Sequence, residues 1–186
     1  MQMDGELTIR RAEAADAHFV ASCVLAAVDL YDFETESVER EVADRVCARR
    51  DTLYSYLNAR IAEVGGRPVG CLVSYDGAIY AEARRVTFGM FSDVGRAMDD
   101  TEMETGPGEY YLDSMAIVPQ FRGAGIGLRL LTDAMQEARG QGFTRFSLIV
   151  EKSKPRLRGY YEGLGFTATY ELTAFGDVYF KMVKED

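Results

Sequence analysis

Residues 109 to 128 join a short apolar strand to a glycine-rich turn, and this combination is typical of an anion-binding site. The strand ends at Pro119, and three alternating glycines, Gly123, Gly125 and Gly127, precede an amphipathic segment. Glycine lets the backbone turn tightly with its N–H groups facing inward, and a helix start adds unpaired donors and a positive dipole end. The turn therefore predicts a phosphate site that needs no cationic side chain.

The spacing of the glycines indicates which class of phosphate ligand such a turn binds. A nucleotide-hydrolysing loop ends in Gly-Lys followed by Ser or Thr, but Leu128 follows Gly127 here. A dinucleotide turn has glycines at its first, third and sixth places, whereas this turn has them at the first, third and fifth. An NAD(P)-dependent oxidoreductase, with Glu151 as its ribose-binding acid, is therefore the less favoured enzyme.

The remaining pattern is Arg-x-x-Gly-x-Gly, formed by Arg122, Gly125 and Gly127. This stretch resembles the coenzyme A pyrophosphate loop of the GNAT acyltransferase superfamily. A later segment, 160–166, reads Tyr-Tyr-Glu-Gly-Leu-Gly-Phe and is similar to that superfamily's Tyr-x-x-x-Gly-Phe signature. The two motifs stand in the family's order, with room for one helix and one strand between them. The opening residues 7–11 also look like the family's first strand, so the resemblance covers most of the chain.

The resemblance implies a fold and a cosubstrate. The fold is α/β of the α+β type, with three layers and a mixed, partly splayed central sheet flanked by helices. The cosubstrate is acetyl-CoA, whose pantetheine arm would lie along the backbone after a bulge in the central strand, with its pyrophosphate on the glycine turn. Lys154 stands where many members have an asparagine, and it is predicted to approach a phosphate or the cofactor arm. The other residues assigned to the cofactor are Met115, Ala116, Ile117, Arg122, Gly123, Ala124, Gly125, Ile126, Gly127 and Leu128.

The resemblance also implies a general acid and a base. An activated thioester requires only that the attacking amine be deprotonated and positioned, and that the departing thiolate receive a proton. Tyr161 aligns with the family's frequent general acid, and its neighbour Tyr160 points about 100° away on the same helix. Asp113 falls where several members place a carboxylate, and a carboxylate in an apolar strand is costly unless it is paired or functional. Asp113 is therefore the predicted base, directly or through water. Glu109 is a weaker candidate, and Ile149 stands where some members have a glutamate.

Composition and charge exclude several classes of function. The chain has 186 residues, 47% of them apolar, which suits one domain over 1–186 with a substantial core. No apolar stretch is long enough to span a membrane, and Asp4 and Glu6 replace the basic segment of a secretory signal, so a cytoplasmic protein is expected. The net charge of −9 argues against nonspecific nucleic-acid binding.

The cysteine and histidine content gives no sign of a metal site. Cys23, Cys47 and Cys71 are odd in number, widely spaced and surrounded by apolar residues. This favours small buried side chains over a disulfide framework or a metal cluster. The single histidine, His18, lies beside an apolar helical stripe and is interpreted as structural or surface-exposed.

Periodicity and turn residues predict an alternating order of strands and helices, with an insertion at about 77–108 that either covers the acceptor site or is a solvated elaboration. Because side chains alternate along a strand, Asp113 is expected to share a face with Tyr111 and Met115, while Leu112 and Ser114 share the other. The predicted elements are a strand at 6–11, a helix capped by Asp16 and ending near Asp29, a helix from Ser37 to about Arg50, a short helix from Thr52 to Leu57, strands at 59–64 and 68–75 joined at Gly65-Gly66, a mostly helical stretch from Tyr80 to Met98, a helix after the glycine turn, a strand at 143–150, a helix started by Ser153 and Pro155, and a hairpin at 169–183.

These features predict an N-acetyltransferase that transfers an acetyl group from acetyl-CoA to a primary amine in a ternary complex. The acidic chain favours a small cationic amine, polyamine-like or aminoglycoside-like, while a protein amine stays open. A non-catalytic coenzyme A sensor would use the same turn without turnover. A homodimer is implied by the resemblance alone.

Overall fold

The computed structural model describes residues 5–27, 37–95 and 101–186, which include a seven-stranded sheet with helices against both faces. The strands lie in the order β1-β2-β3-β4-β5-β7-β6. All neighbours are antiparallel except β4 and β5, which are parallel, so the sheet is mixed as predicted. The strands are β1 (Leu7–Arg11), β2 (Ala59–Val64), β3 (Arg67–Asp76), β4 (Tyr110–Ile117), β5 (Arg145–Glu151), β6 (Thr167–Ala174) and β7 (Asp177–Glu185); the helices are α1 (Ala17–Ala27), α2 (Val38–Ala48), α3 (Tyr80–Ser92), α4 (Ile126–Gly140) and α5 (Pro155–Gly163).

Two hydrophobic clusters, one on each face of the sheet, form the core. The successive residues Cys71, Leu72 and Val73 of β3 alternate between them, because neighbouring side chains of a strand point to opposite faces. Helices α1, α2 and α3 cover the first face, and α4 with Tyr161 of α5 covers the second. The apolar face of α4 buries the six residues at helical spacing, Ile126, Leu130, Leu131, Ala134, Met135 and Ala138.

The two predicted hairpins are present. Gly65 and Gly66 join β2 to β3 with φ values of 58° and 77°, the left-handed conformations that a tight two-residue turn requires. Phe175 and Gly176 join β6 to β7 in the same way, with φ values of 54° and 83°.

The start of α1 differs from the prediction. Asp16 does not cap this helix. Its carboxylate instead accepts hydrogen bonds from the Arg10 guanidinium and from the Glu13 N–H, and it ends a 3-10 turn before Ala17. The ion pair with Arg10 outweighs capping because a bidentate charged pair is stronger than a single bond to a backbone N–H. The predicted end at Asp29 lies outside the described residues.

Other helix boundaries agree in part. Ser37 caps α2 as predicted, by accepting from the Arg40 N–H at 3.1 Å. Between Thr52 and Leu57 only a 3-10 turn, Tyr56–Asn58, begins. Ser153 does not cap α5, which begins at Pro155 with Lys154 at the N-cap position. The Ser153 hydroxyl donates to the Glu151 carboxylate instead.

Buried polar residues connect the segment after α3 to the edge of the sheet. The Glu102 N–H donates to the Thr173 carbonyl at 2.8 Å, and the Phe175 N–H donates to the Thr101 hydroxyl at 3.0 Å. Thr101, Glu104 and Thr105 are buried. These three residues of the predicted insertion are therefore packed into the protein rather than solvated.

The three cysteine side chains are buried, and the histidine lies on the surface. Cys23, Cys47 and Cys71 are buried free thiols, and burial raises the pKa of Cys23 and Cys47 well above the usual range. Such thiols are poor nucleophiles. His18 lies on the surface with its Nδ1 3.0 Å from an Asp44 carboxylate oxygen. None of the helices within the described residues combines the length and apolarity needed to cross a membrane.

A buried ion pair joins β4 to β7. The Lys181 ammonium donates to a Glu109 carboxylate oxygen at 2.7 Å, and Ser147 and Arg145 donate to the same carboxylate. Burial raises the pKa of Glu109, but these donors outweigh burial and lower it to about 2. Glu109 is therefore a structural anion and too weak a base for catalysis.

We expect Glu109→Gln to reduce the free energy of unfolding by about 2 kcal/mol at neutral pH, since it leaves Lys181 buried without its counter-charge. The folded pKa of about 2 lies below the unfolded value of 4.5, so this stability is present above 4.5 and is lost as the pH falls toward 2. Urea unfolding across this range measures both effects. Glu185→Gln, which alters an exposed partner of Arg145, is the control and should cost less than about 1 kcal/mol. A constant difference between wild type and Glu109→Gln at every pH would contradict the assignment.

Candidate active site

An opening between β4 and β5 creates the candidate site. These parallel strands pair only at Tyr110 with Phe146 and at Tyr111 with Ser147. Beyond Tyr111 they separate, so the β4 edge that faces β5 has no strand partner from Leu112 to Ile117. Ligands of open α/β sheets bind outside the carboxyl ends of the strands, where neighbouring strands diverge.

A bulge in β4 turns the side chains at this opening. Leu72 pairs with Met115 and Ser74 pairs with Leu112, so β4 contains one residue more than β3 between these pairs. The extra residue shifts the alternation of side chains. Met115 consequently packs with Leu112 on the α4 face, and the predicted shared face of Met115 with Asp113 is wrong. Ser114, predicted on the opposite face from Asp113, lines the same cavity as Asp113.

The glycine turn has the geometry of an anion site. Gly123 and Gly125 adopt φ values of 79° and 76°, and Gly125 directly precedes α4. The first main-chain bond of α4 runs from the Arg129 N–H to the Gly125 carbonyl, at 3.1 Å. The preceding N–H groups, those of Ile126, Gly127 and Leu128, therefore have no partner within the helix. The oxygens of a diphosphate could accept hydrogen bonds from these N–H groups.

Two contacts hold this turn against β4. The Arg122 Nε donates to the Ile117 carbonyl at 3.0 Å, which ties the turn to the end of the strand. A Cβ atom at Gly127 would lie 3.3 Å from the Met115 methyl group, so the helix start packs closely on the strand. These contacts hold the residues predicted to bind the cofactor, from Met115 to Leu128, in one connected segment.

Asp113 lies at the opening as a half-buried carboxylate. It accepts a hydrogen bond from the Tyr75 hydroxyl and another from the Ser114 hydroxyl, the latter at 2.8 Å. Burial raises the pKa of Asp113 above its usual value, although the two hydroxyl donors lower it in part. A carboxylate with a raised pKa holds a proton more strongly, as a general base requires.

Glu104 is a second carboxylate of this site, and nothing in its sequence context separates it from the acidic run around it. It is only 5% exposed. The Tyr80 and Tyr111 hydroxyls donate to its two oxygens at 2.8 and 2.5 Å. Burial, together with the nearby negative charge of Asp113, raises the pKa of Glu104 to about 7.

Asp113 and Glu104 line one cavity of about 110 Å³ between β4, β5 and α5. Lys154, predicted near the cofactor, also lines it, and its ammonium is 3.3 Å from Glu151. Ile149 contributes an apolar wall at the position where the resemblance would place a glutamate. The remaining lining residues are Ala27, Tyr54, Tyr111, Ser114, Val150, Glu151, Leu157, Phe175 and Tyr179.

Tyr161 lies on the other face of the sheet from Asp113. It is 8% exposed and packs edge-on against Phe166, with ring centroids 5.8 Å apart, in the cluster that Met115 also contacts. Leu157, one turn earlier in α5, lines the cavity, whereas Tyr161 does not and packs in the cluster on the α4 face. Burial raises the pKa of Tyr161 well above its usual value, which keeps the phenol protonated at neutral pH. Tyr160 is 41% exposed, as expected for the neighbour that points away.

A mixed sheet that opens beside its central strand, next to a glycine turn with the geometry of an anion site, is the arrangement expected of an acyl-CoA-dependent transferase. The profile of the acetyltransferase (GNAT) family matches residues 24–166, and the chain belongs to this family. The predicted family, fold class and enzyme class are thereby confirmed.

Solved structures with the same fold extend over nearly the whole chain. A crystal structure of an acetyltransferase has a TM-score of 0.76 at 26% identity, covering 96% of this chain and 98% of that one. An N-acetyltransferase from Staphylococcus aureus Mu50 has a TM-score of 0.79 at 19% identity, covering 95% and 99%. The PaiA N-acetyltransferase from Thermoplasma acidophilum, solved with coenzyme A, has a TM-score of 0.60 at 16% identity, covering 97% and 99%. No curated protein matches the chain by sequence.

We expect Tyr75→Phe to raise the pKa of Asp113 further, because it removes a hydrogen bond that favours the ionised carboxylate. Carboxyl carbon chemical shifts followed by NMR as a function of pH would measure this change. Tyr54→Phe is the matched control, since Tyr54 lines the same cavity but makes no hydrogen bond to Asp113. An Asp113 pKa that falls or stays constant in Tyr75→Phe would refute the proposed role of this bond.

Proposed function

We propose that this protein transfers the acetyl group of acetyl-CoA to a primary amine by direct attack in a ternary complex. The observation that carries the proposal is the continuity of one strand and its turn. The half-buried Asp113, the unpaired β4 edge to Ile117 and the free N–H groups of α4 follow one another along this path. An extended carrier whose diphosphate lies on the turn would therefore have its acyl end near Asp113.

The residues present fit acetyl-CoA, which supplies an already activated thioester when bound. The N–H groups of Ile126, Gly127 and Leu128 would hold the diphosphate, and the exposed turn Gly123–Gly125 leaves room for it. The open β4 edge at Met115 to Ile117 has no strand partner within the ranges that the structure describes, so its available peptide groups could bond to the amides of an extended arm as a neighbouring strand would. Arg122 and Lys154 add positive charge at the two ends of this path.

Asp113 and Tyr161 would handle the protons from opposite faces of the opening. Asp113, directly or through a water molecule, accepts the proton of the attacking ammonium. Tyr161 donates its phenolic proton to the departing sulfur, and it stays protonated until then because burial disfavours the phenolate. No step requires a covalent intermediate on the protein.

The acceptor that fits the cavity best is a small cationic amine. Two carboxylates, Glu104 and Asp113, line a space that is too confined for a folded protein surface. Aromatic rings form much of the remaining wall, and they attract organic cations through their π faces. The formal charge of −9 would favour the approach of such a cation over longer distances.

Release of free thiol from acetyl-CoA in the presence of a panel of primary amines tests the proposal. We expect amine-dependent release, and Tyr161→Phe should lower kcat roughly 10- to 100-fold, since a thiolate needs less acid catalysis than most leaving groups. The affinity for coenzyme A should not change. Tyr160→Phe is the matched control and should retain full activity, because its ring is exposed. Binding of acetyl-CoA without release by any amine would favour the sensor function instead.

Gly125→Glu should abolish binding of coenzyme A, because the new carboxylate lies at the diphosphate position and repels it. Isothermal calorimetry with coenzyme A measures the loss. Gly125→Ala separates backbone strain from charge: at a φ of 76° it should cost about 1 kcal/mol of stability yet still bind. Gly89→Glu adds the same charge in open space on α3 and should bind normally. Unchanged affinity in Gly125→Glu would remove the basis of the proposed cofactor site.

A further inference from the structure

Glu104 is a buried carboxylate that makes no ion pair with any residue the structure describes. Lys181 is a cation whose charge acts on Glu104, but its three N–H donors are committed elsewhere. They reach the Glu104 main-chain carbonyl at 2.6 Å, the Glu109 carboxylate at 2.7 Å and the Ser147 hydroxyl at 2.8 Å. The charge of Lys181 is therefore balanced by Glu109, and the Glu104 carboxylate keeps only its two phenol donors, Tyr80 and Tyr111.

Asp113, which lines the same cavity, also has no ion-pair partner among the described residues. Its carboxylate is held by the hydroxyls of Tyr75 and Ser114, and across the described ranges no cation forms an ion pair with it. Each carboxylate oxygen can accept a second hydrogen bond, so both groups keep free acceptor capacity. Two carboxylates without an ion-pair partner in the described part of the chain, Glu104 buried and Asp113 half-buried, are costly to maintain, and a ligand that carries two positive charges would compensate both.

The walls around these carboxylates suit an organic dication rather than a metal ion. Tyr54, Tyr111, Phe175 and Tyr179 line the cavity, and their rings favour the alkyl part and the charge of an ammonium ligand. Asp113 lies on β4 next to the unpaired edge, whereas Glu104 comes from the segment before β4 and accepts from the Tyr111 hydroxyl. A reacting amine at Asp113 thus leaves the Glu104 charge to be matched by a second ammonium group.

We propose that Glu104 binds the second ammonium group of the acceptor, so that the preferred acceptor is a short diamine whose other amine faces Asp113. This inference rests on the proposed acetyl transfer, since it assigns the acceptor of that reaction. Glu104 is then a specificity-determining residue, and Tyr80 and Tyr111 position it.

Steady-state kinetics with unbranched diamines of three to five carbons, compared with monoamines of the same length, tests this inference. We expect wild-type kcat/KM to favour the best diamine by at least about tenfold, the value of one charged hydrogen bond. Glu104→Gln should remove this preference mainly through KM for the diamine, with a smaller change in kcat/KM for the monoamine, while KM for acetyl-CoA stays the same. Glu102→Gln is the matched control, because Glu102 bonds to the Thr173 N–H at 2.5 Å and does not line the cavity.

The pH dependence gives a readout that a structural role would not move. Burial and the charge of Asp113 raise the pKa of Glu104 to about 7. The titratable groups that act on Glu104 are Tyr54, Tyr75, Tyr80, Tyr111, Asp113, Tyr179 and Lys181. Only the ionised carboxylate attracts an ammonium group, so the wild-type preference for diamine should grow as the pH rises through about 7. The preference should be independent of pH in Glu104→Gln.

The possible outcomes separate the two proposals. If neither diamines nor monoamines are acetylated, the proposed function fails. If both are acetylated with equal kcat/KM by the wild-type protein, or if Glu104→Gln impairs both equally, only the diamine assignment is overturned. Thermal unfolding verifies that Glu104→Gln is folded, and should it not fold, the wild-type comparison of amines with its pH dependence decides alone.

Discussion

The incomplete pairing of β4 is the constraint on which the site depends. One edge of this strand is bonded to β3, while the other meets β5 at two residue pairs only. If β5 continued alongside, the peptide groups from Leu112 to Ile117 would be satisfied within the sheet, and no ligand could bind there. Because buried peptide groups need partners, the open edge is stable only where solvent or a ligand replaces the missing strand. The bulge after Leu112 lies on this same stretch, and the additional residue is what brings Asp113 and Ser114 to one cavity.

Neighbouring buried charges in this region have different roles: one carboxylate is neutralised by an ion pair, and another has no ion-pair partner among the residues that the structure describes. Lys181 and Glu109 form a compensated pair that is bonded on all sides, and their ion pair fixes β7 to the start of β4. The same ammonium bonds to the main-chain carbonyl of Glu104, so the structural pair also positions the segment that carries the uncompensated carboxylate. Tyr111 connects the two functions, since its hydroxyl donates to Glu104 while its ring lies 5.1 Å from the Lys181 ammonium. A carboxylate that is neutralised and one that is left available therefore belong to a single network.

Local patterns in the sequence predicted the elements that local physics determines. The apolar spacing of α4, the Gly65-Gly66 turn and the glycine turn before Ile126 each depend on residues close together in the chain, and all three are present. Asp16 was misassigned because its carboxylate bonds to Arg10 across a turn, a choice between partners that capping rules do not contain. The bulge in β4 depends on the register with β3, and the role of Glu104 depends on tyrosines from α3 and β4. Long-range pairing determines these features, and no spacing within the chain encodes them. The residues assigned to catalysis and to the cofactor stay predictions.

Burial of the Tyr161 phenol raises a chemical question, because a phenol with a raised pKa is a weaker acid than one in water. A free thiol has a pKa of about 8.5, so donation from such a phenol to a solvated thiolate would be unfavourable. In the proposed reaction, however, the leaving sulfur would form its charge beside Tyr161, whose ring packs in the apolar cluster on the α4 face of the sheet. Desolvation penalises that thiolate as it penalises the phenolate, and both pKa values rise for the same reason. The proton affinities of the Tyr161 phenolate and of the leaving thiolate therefore differ less than their values in water suggest. The burial that keeps Tyr161 protonated would also raise the proton affinity of the sulfur.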